Sequence, residues 1–210
     1  SIIGRPNAGK SSLLNKLLNE NRSIVSSIPG TTRDSVNGKI KIEDQEFEII
    51  DTAGINRKSK LVELVDHFAL ERAFNSLEES DLSLLVIDAT RELSHFDARV
   101  VGYALEFNKP IIIVINKWDL INKDTNTINE FTKRIKKEFK FASWSPIIFI
   151  SVLENQRINK LKQLILKVKT NIERTINTSL LNEIILEAQQ IQPANSFKGN
   201  RAVITYIKQI

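Results

Sequence analysis

Eight residues near the start of the chain, Gly4-Arg5-Pro6-Asn7-Ala8-Gly9-Lys10-Ser11, fit the pattern G-x-x-x-x-G-K-[ST] between a short apolar run and a helical stretch. Glycines let a backbone curl until successive N–H groups converge on phosphate oxygens, beside a helix N-terminus that favours anions. Lys10 is placed to reach the β- and γ-phosphates of a nucleotide, and the Ser11 hydroxyl to ligate Mg²⁺. Ser12 completes the stretch expected to line the nucleotide.

A second stretch bears on which base is held. Asn116-Lys117-Trp118-Asp119 directly follows the apolar run Ile111-Ile112-Ile113-Val114-Ile115, at the strand end where open α/β sheets place ligands. Guanine presents N1–H and an exocyclic amine side by side, which the Asp119 carboxylate can accept as a pair. Adenine puts a lone pair there and is repelled, and a site built around such a polar partner can reject the wrong base by about 10⁴-fold. Asn116 is expected to brace the loop, the Lys117 stem to lie along the base, and Trp118 to pack. After the next apolar run, Ser151-Val152-Leu153 is expected to offer backbone N–H groups to the guanine carbonyl.

Two further segments could sense a γ-phosphate. In Asp51-Thr52-Ala53-Gly54-Ile55, Asp51 can hold a water of the Mg²⁺ shell and Gly54 can bring its N–H close to the phosphate. In Pro29-Gly30-Thr31-Thr32-Arg33-Asp34, Thr32 is the expected Mg²⁺ ligand in preference to Thr31. Ile55 stands where a glutamine would aim the attacking water.

The elements that must position these groups are legible as alternating periods. Leu82 to Ile87, Ile111 to Ile115 and Ile147 to Ile150 are near-continuous apolar runs suited to central parallel strands covered on both faces. Lys39 to Glu43 alternates like a half-exposed edge strand, turning at Asp44-Gln45 into Phe47 to Asp51. Leu13, Leu14, Leu17 and Leu18 form one helical face, and Leu161, Leu164, Ile165, Val168 and Ile172 another. The pattern predicts an α/β fold of the P-loop type, a mostly parallel sheet between two helical layers, over residues 1–174. From 175 to 210 a helix over Leu180 to Gln190, a loop with Pro193 and Gly199, and a strand over Ala202 to Ile207 read as the start of a second, α+β unit.

Composition sets bounds. The chain has 210 residues, a net charge of +5 and neither cysteine nor methionine, which excludes disulfides, thiolate metal sites and a cysteine nucleophile. With no methionine at position 1 and a first strand only Ser1-Ile2-Ile3 long, the chain is expected to be an excerpt of a longer protein. No apolar run approaches the length needed to cross a bilayer. The basic balance suits work near nucleic acid, and a lysine-rich solvated surface gives the same number. Lys133-Arg134-Ile135-Lys136-Lys137 is read mainly as a solvated helix face.

Taken together, "GRPNAGKSSLLNKLL", "PGTTRDSV", "DTAGINRKSK", "LLVIDAT" and "NKWDL" resemble the Der or EngA family of tandem ribosome-assembly GTPases, specifically their second G domain. The tail "TSLLNEIILEAQQIQPANSFKGNRAVITY" resembles the start of that family's KH-like domain. The resemblance implies binding of GTP and GDP with Mg²⁺, hydrolysis of GTP, and a cytoplasmic role in maturation of the large ribosomal subunit with its rRNA, without membrane or DNA. It also implies another G domain N-terminal to this one and a K⁺ ion held by Asn7 where an arginine finger would otherwise reach. Lys10, Asn7, Thr32 and Gly54 then form the catalytic set. Ala8 stands for the usual valine and Val152 for the usual alanine. Two alternatives remain: a nucleotide-dependent RNA-docking module with negligible hydrolysis alone, and a tRNA-modification-type GTPase. An ATP-dependent P-loop enzyme would leave Asn116 to Asp119 unexplained.

Overall fold

The computed structural model describes residues 1–19, 38–50 and 65–209. These form two compact units, Ser1–Lys169 and Thr170–Ile210, a division ahead of the 174/175 junction expected from the sequence.

In the first unit, strands β1 (Ile2–Ile3), β4 (Ser83–Asp88), β5 (Ile111–Asn116) and β6 (Ile147–Phe149) form a parallel sheet in that spatial order. Its register sets Ile3 against Leu85, Asp88 against Asn116 and Ile113 against Ile147. Successive side chains of a strand point to opposite faces, and two apolar clusters divide along that alternation. Ile3, Leu85, Ile87, Ile113 and Ile115 pack beneath helices α2 (Val65–Glu79), α3 (His95–Glu106) and α4 (Thr127–Glu138). Ile2, Leu84, Val86, Ile112 and Val114 pack beneath α1 (Lys10–Asn19) and α5 (Ile158–Glu173). Both faces are covered, which is why β4 and β5 read as unbroken apolar runs rather than alternating ones.

Strands β2 (Gly38–Ile42) and β3 (Gln45–Ile49) pair antiparallel as a separate two-stranded sheet. Their turn is Glu43-Asp44, one residue before the expected Asp44-Gln45, with Glu43 at φ +54°. The buried Ile40, Ile42 and Ile49 join the α1–α5 layer. Helix α1 inserts Leu13, Leu14 and Leu17 into the same layer, each contributing about 1.5–3 kcal/mol of burial. Ile172, expected on the buried face of α5, is exposed; Leu161, Ile165 and Val168 are buried as expected, together with Ile158.

The second unit contains α6 (Thr178–Ile191) and a hairpin of β7 (Ser196–Phe197) and β8 (Asn200–Arg201). Residues 202–207 are not a strand, contrary to the sequence expectation. Their backbone is held by side chains of α6 instead. The Asn182 amide donates to Ile207 O at 2.8 Å and accepts from Ile207 N at 2.9 Å. The Gln189 amide does the same with Ile204, at 3.0 and 2.7 Å. Among the described residues no helix is long and apolar enough to cross a membrane.

Candidate nucleotide site

The site lies at the ends of β1, β4 and β5. Gly4 leaves β1 at φ +149°, where an added Cβ would stand 2.2 Å from the Val86 carbonyl oxygen of β4. Gly9 closes the loop at φ +101°, and a Cβ there would stand 2.2 Å from Asn116 Nδ2. Both corners are therefore closed to any larger residue. Asn7 sits at the crown in the left-handed region, φ +64°, which asparagine tolerates. Helix α1 starts immediately afterwards, with Leu13 N donating to Gly9 O at 2.9 Å and no carboxylate in its first turn. The loop thus presents backbone at a helix N-terminus whose own first turn carries no acid.

Lys10 crosses the loop and donates from Nζ to Arg5 O at 2.8 Å. Burial holds its pKa below the ordinary lysine value, because desolvation disfavours the ammonium, and a phosphate beside it would favour the charged form. Arg5 lends the loop its backbone only. Its side chain leaves the expected nucleotide face, donating from Nη2 to Glu92 O at 2.7 Å and placing Nε 3.4 Å from Asp97 Oδ2. Asp97 is fully buried and closes a capping box with Ser94, accepting from Ser94 N at 2.9 Å and Oγ at 2.8 Å. The phosphate loop is in this way tied to the start of α3.

Asn116 ends β5, is 3% exposed, and makes two bonds. Its Nδ2 donates to Ala8 O at 2.9 Å, and its Oδ1 accepts from Val152 N at 3.2 Å. One amide therefore couples the phosphate loop to the Ser151 loop. Lys117, in the left-handed region at φ +62°, donates from its amine to Asp88 Oδ2 at 2.6 Å. Burial pushes the Asp88 carboxyl up, but hydrogen bonds from Lys117 and Thr90 and the Lys117 charge outweigh it and hold it below the ordinary range.

Trp118 is 1% exposed and packs between Phe131 and Phe149. Its ring belongs to the core, so only its backbone can border a nucleotide. Of the three N–H groups expected at 151–153, Ser151 donates to Gln156 O at 3.2 Å and Val152 to Asn116. Of these three, the Leu153 N–H has no acceptor among the described residues.

Asp119 supplies the test of fit. Its Oδ1 is buried and lacks a hydrogen-bond partner among the described residues. A buried carboxylate oxygen left so costs about 1–3 kcal/mol or more unless a donor arrives, and a guanine edge carries such donors. Ser11 and Ser12 lie in the first turn of α1 beside Lys10, as expected. Thr32, Asp51, Thr52, Ala53, Gly54 and Ile55 lie outside the described residues. Among the described residues no group of three His, Asp or Glu gathers that could hold a metal.

Asp88 and Asp97 were not singled out by sequence. Asp88 had a signal: it is a carboxylate closing an apolar strand, in register with Asn116. Asp97 had a fainter one, the S-x-x-D of a capping box.

A strand, a glycine-cornered loop over a helix N-terminus and an acceptor-bearing loop after β5 together make a P-loop GTPase fold. Residues 1–117 match the family model for 50S ribosome-binding GTPases. The chain belongs to that family. It is 59% identical over 209 residues to the GTPase Der of Mycoplasmopsis pulmonis and 43% identical over 210 residues to that of Thermoanaerobacter pseudethanolicus, covering 100% of this chain and 48% of each relative. The chain spans about half the length of the curated relatives it matches. Among solved structures it is similar to Era in complex with MgGDPNP and nucleotides 1506–1542 of 16S ribosomal RNA, with 38% identity and a TM-score of 0.58, covering 79% of this chain and 54% of that one. The elongation factor SelB of Methanococcus maripaludis, with 24% identity and a TM-score of 0.61 over 84% of this chain and 34% of that one, shares the fold.

Proposed function

We propose that the chain is a GTP-hydrolysing switch of large-subunit ribosome assembly, the second of two G domains followed by the beginning of a KH-like domain. The observation that carries the nucleotide reading is the buried, unpartnered Asp119 Oδ1, one loop away from a phosphate cradle braced by Asn116. Names of relatives support hydrolysis, and the RNA in the Era complex supports ribosomal work.

On this reading Lys10 exchanges its Arg5 carbonyl for phosphate oxygens, and Ser11 with Thr32 and a water held by Asp51 would hold Mg²⁺. The metal would supply neutralisation of the charge that builds on the phosphates. Asn7, exposed at the crown of the loop, is the residue proposed to hold K⁺ beside the β,γ-bridging oxygen, where a fixed cation stabilises developing charge. Ile55 can shield the site but cannot orient water, so that task falls to backbone or to a partner. The same feature favours a second reading: a GTP-dependent docking module with negligible hydrolysis alone.

Single-turnover GTP hydrolysis, in KCl and in NaCl at equal ionic strength, with and without large ribosomal subunits, separates the readings. A faster rate in KCl is expected, with further stimulation by the subunit. Equal rates in both salts would remove Asn7 from its role, and no turnover under any condition would leave the docking module.

A further inference from the structure

The end of the sheet opposite the nucleotide site carries a surface that nucleotide binding does not use. Strands β5 and β6 are parallel neighbours, and Ile113 N donates to Pro146 O at 2.9 Å. The loops that feed them, 107–110 after α3 and 139–146 after α4, therefore lie side by side, at the opposite strand ends from Asp88 and Asn116. Trp144 stands there 66% exposed, with Phe141 at 41% and Phe107 at 37%. Phe139 is buried beneath, its ring centroid 6.4 Å from that of Phe141.

The stretch that leads into Phe141 and Trp144 is mainly basic, while the exposed Glu106 precedes Phe107. Between residues 133 and 144 stand Lys133, Arg134, Lys136, Lys137 and Lys140 against the single carboxylate Glu138. All five cations are exposed, and none forms an ion pair with a described carboxylate. Arg134 lies over the Phe131 ring at 4.3 Å. Lys136 and Lys137 complement the C-terminus of α4, but that accounts for neither Lys140 nor the exposed indole. Protein interfaces deplete lysine at their centres. Aromatic faces standing among unpaired lysines fit bases and phosphates instead, and an open indole needs a base free of a duplex stack.

We propose that this end of the G domain is a docking surface for single-stranded RNA, with Trp144 as a stacking platform and Lys136, Lys137 and Lys140 gripping the backbone. Only the choice of RNA over DNA rests on the ribosomal reading above; the surface stands on its own geometry.

The chain has two tryptophans, and Trp118 is buried, so the emission that an added ligand can quench by contact is that of Trp144. A twelve-nucleotide oligouridylate titrated into the 210-residue chain should quench that emission, with affinity falling as salt rises. Trp144→Ala, read by anisotropy of a labelled oligomer, should weaken binding about 5- to 150-fold. Lys136→Glu with Lys140→Glu should do likewise, while both variants keep guanine-nucleotide affinity and so prove folded. Unquenched emission, or equal RNA affinity in these variants, overturns the proposal. So does a Trp144-dependent dimer in sedimentation that takes up no oligomer. Equal or tighter binding of oligothymidylate overturns the RNA assignment. Ribosome-stimulated hydrolysis that survives Trp144→Ala without RNA-affinity loss would leave the ribosomal function intact and sink this surface.

Discussion

Replacing Asn116 by aspartate changes one amide nitrogen to oxygen and nothing in size, so its effect can be worked from two bonds. The bond accepted from Val152 N at 3.2 Å survives, whereas the donor to Ala8 O at 2.9 Å is lost and two acceptors face each other. A buried carbonyl left without its donor costs about 1–3 kcal/mol. If the cost falls on the conformation that cradles phosphate, guanine-nucleotide affinity drops about 5- to 150-fold at a thermal energy of about 0.59 kcal/mol. The site is buried, and burial raises a carboxyl pKa. Below that raised value the introduced group is protonated and donates O–H to Ala8 O again. Affinity of Asn116→Asp should therefore recover as pH falls, while the parent protein shows no such recovery. Dissociation constants for a fluorescent GDP at about pH 8.5 and about pH 5.5 measure this, since the shifted group titrates between them. Equal affinity of variant and parent at the higher pH would refute the brace; a deficit unchanged by pH would refute the hydrogen-bond account of it.

Asp119→Asn should move preference from GTP toward XTP, because the amide donates where the carboxylate accepts; competition binding with both nucleotides decides, and an unchanged order would reject Asp119 as the base reader. Asp97→Asn keeps the shape of the α3 cap but removes the charge beside Arg5. With Arg5 partly solvated and the pair 3.4 Å apart, the loss is about 0.5–1.5 kcal/mol, seen as GDP release faster by about 2- to 12-fold; a lower melting temperature with unaltered release would confine Asp97 to capping. Lys10 is depressed below its ordinary 10.5 by burial, and a bound triphosphate raises it, so binding takes up a proton once pH exceeds the free-protein pKa. GTP affinity should decline through that alkaline window, and Lys10→Arg, which stays charged, should lack the slope whatever its absolute affinity.

Much of the first unit was legible because its signals are local. Ile111 to Ile115 and Ile147 to Ile150 are apolar runs rich in β-branched residues with no competing period, and strands formed within a residue of them. The glycine corners and Asn116 also lie in contiguous stretches whose spacing carries their geometry. Asp88 and Asp97 escaped because their partners, Lys117 and Arg5, arrive only through tertiary structure, 29 and 92 residues away in the chain. Arg5 itself was assigned to the nucleotide from its place in the motif, and a motif says nothing of where a side chain turns. Residues 202–207 misled for a related reason. Val203, Ile204, Thr205, Tyr206 and Ile207 have the make-up of a strand, yet the backbone partners are amides projecting from α6, which no neighbouring residue announces.

Those two amides act as rungs. Asn182 and Gln189 are two helical turns apart, about 10.5 Å, and Ile207 and Ile204 are separated by nearly the same length of extended chain, about 10 Å. The match is a ruler: sliding the segment by a single residue would break all four bonds together. Because the grip is on main-chain atoms, it is indifferent to which side chains the segment carries, leaving those free to vary while alignment is kept. It also orders assembly, since the rungs exist at their proper separation only once the helix has wound.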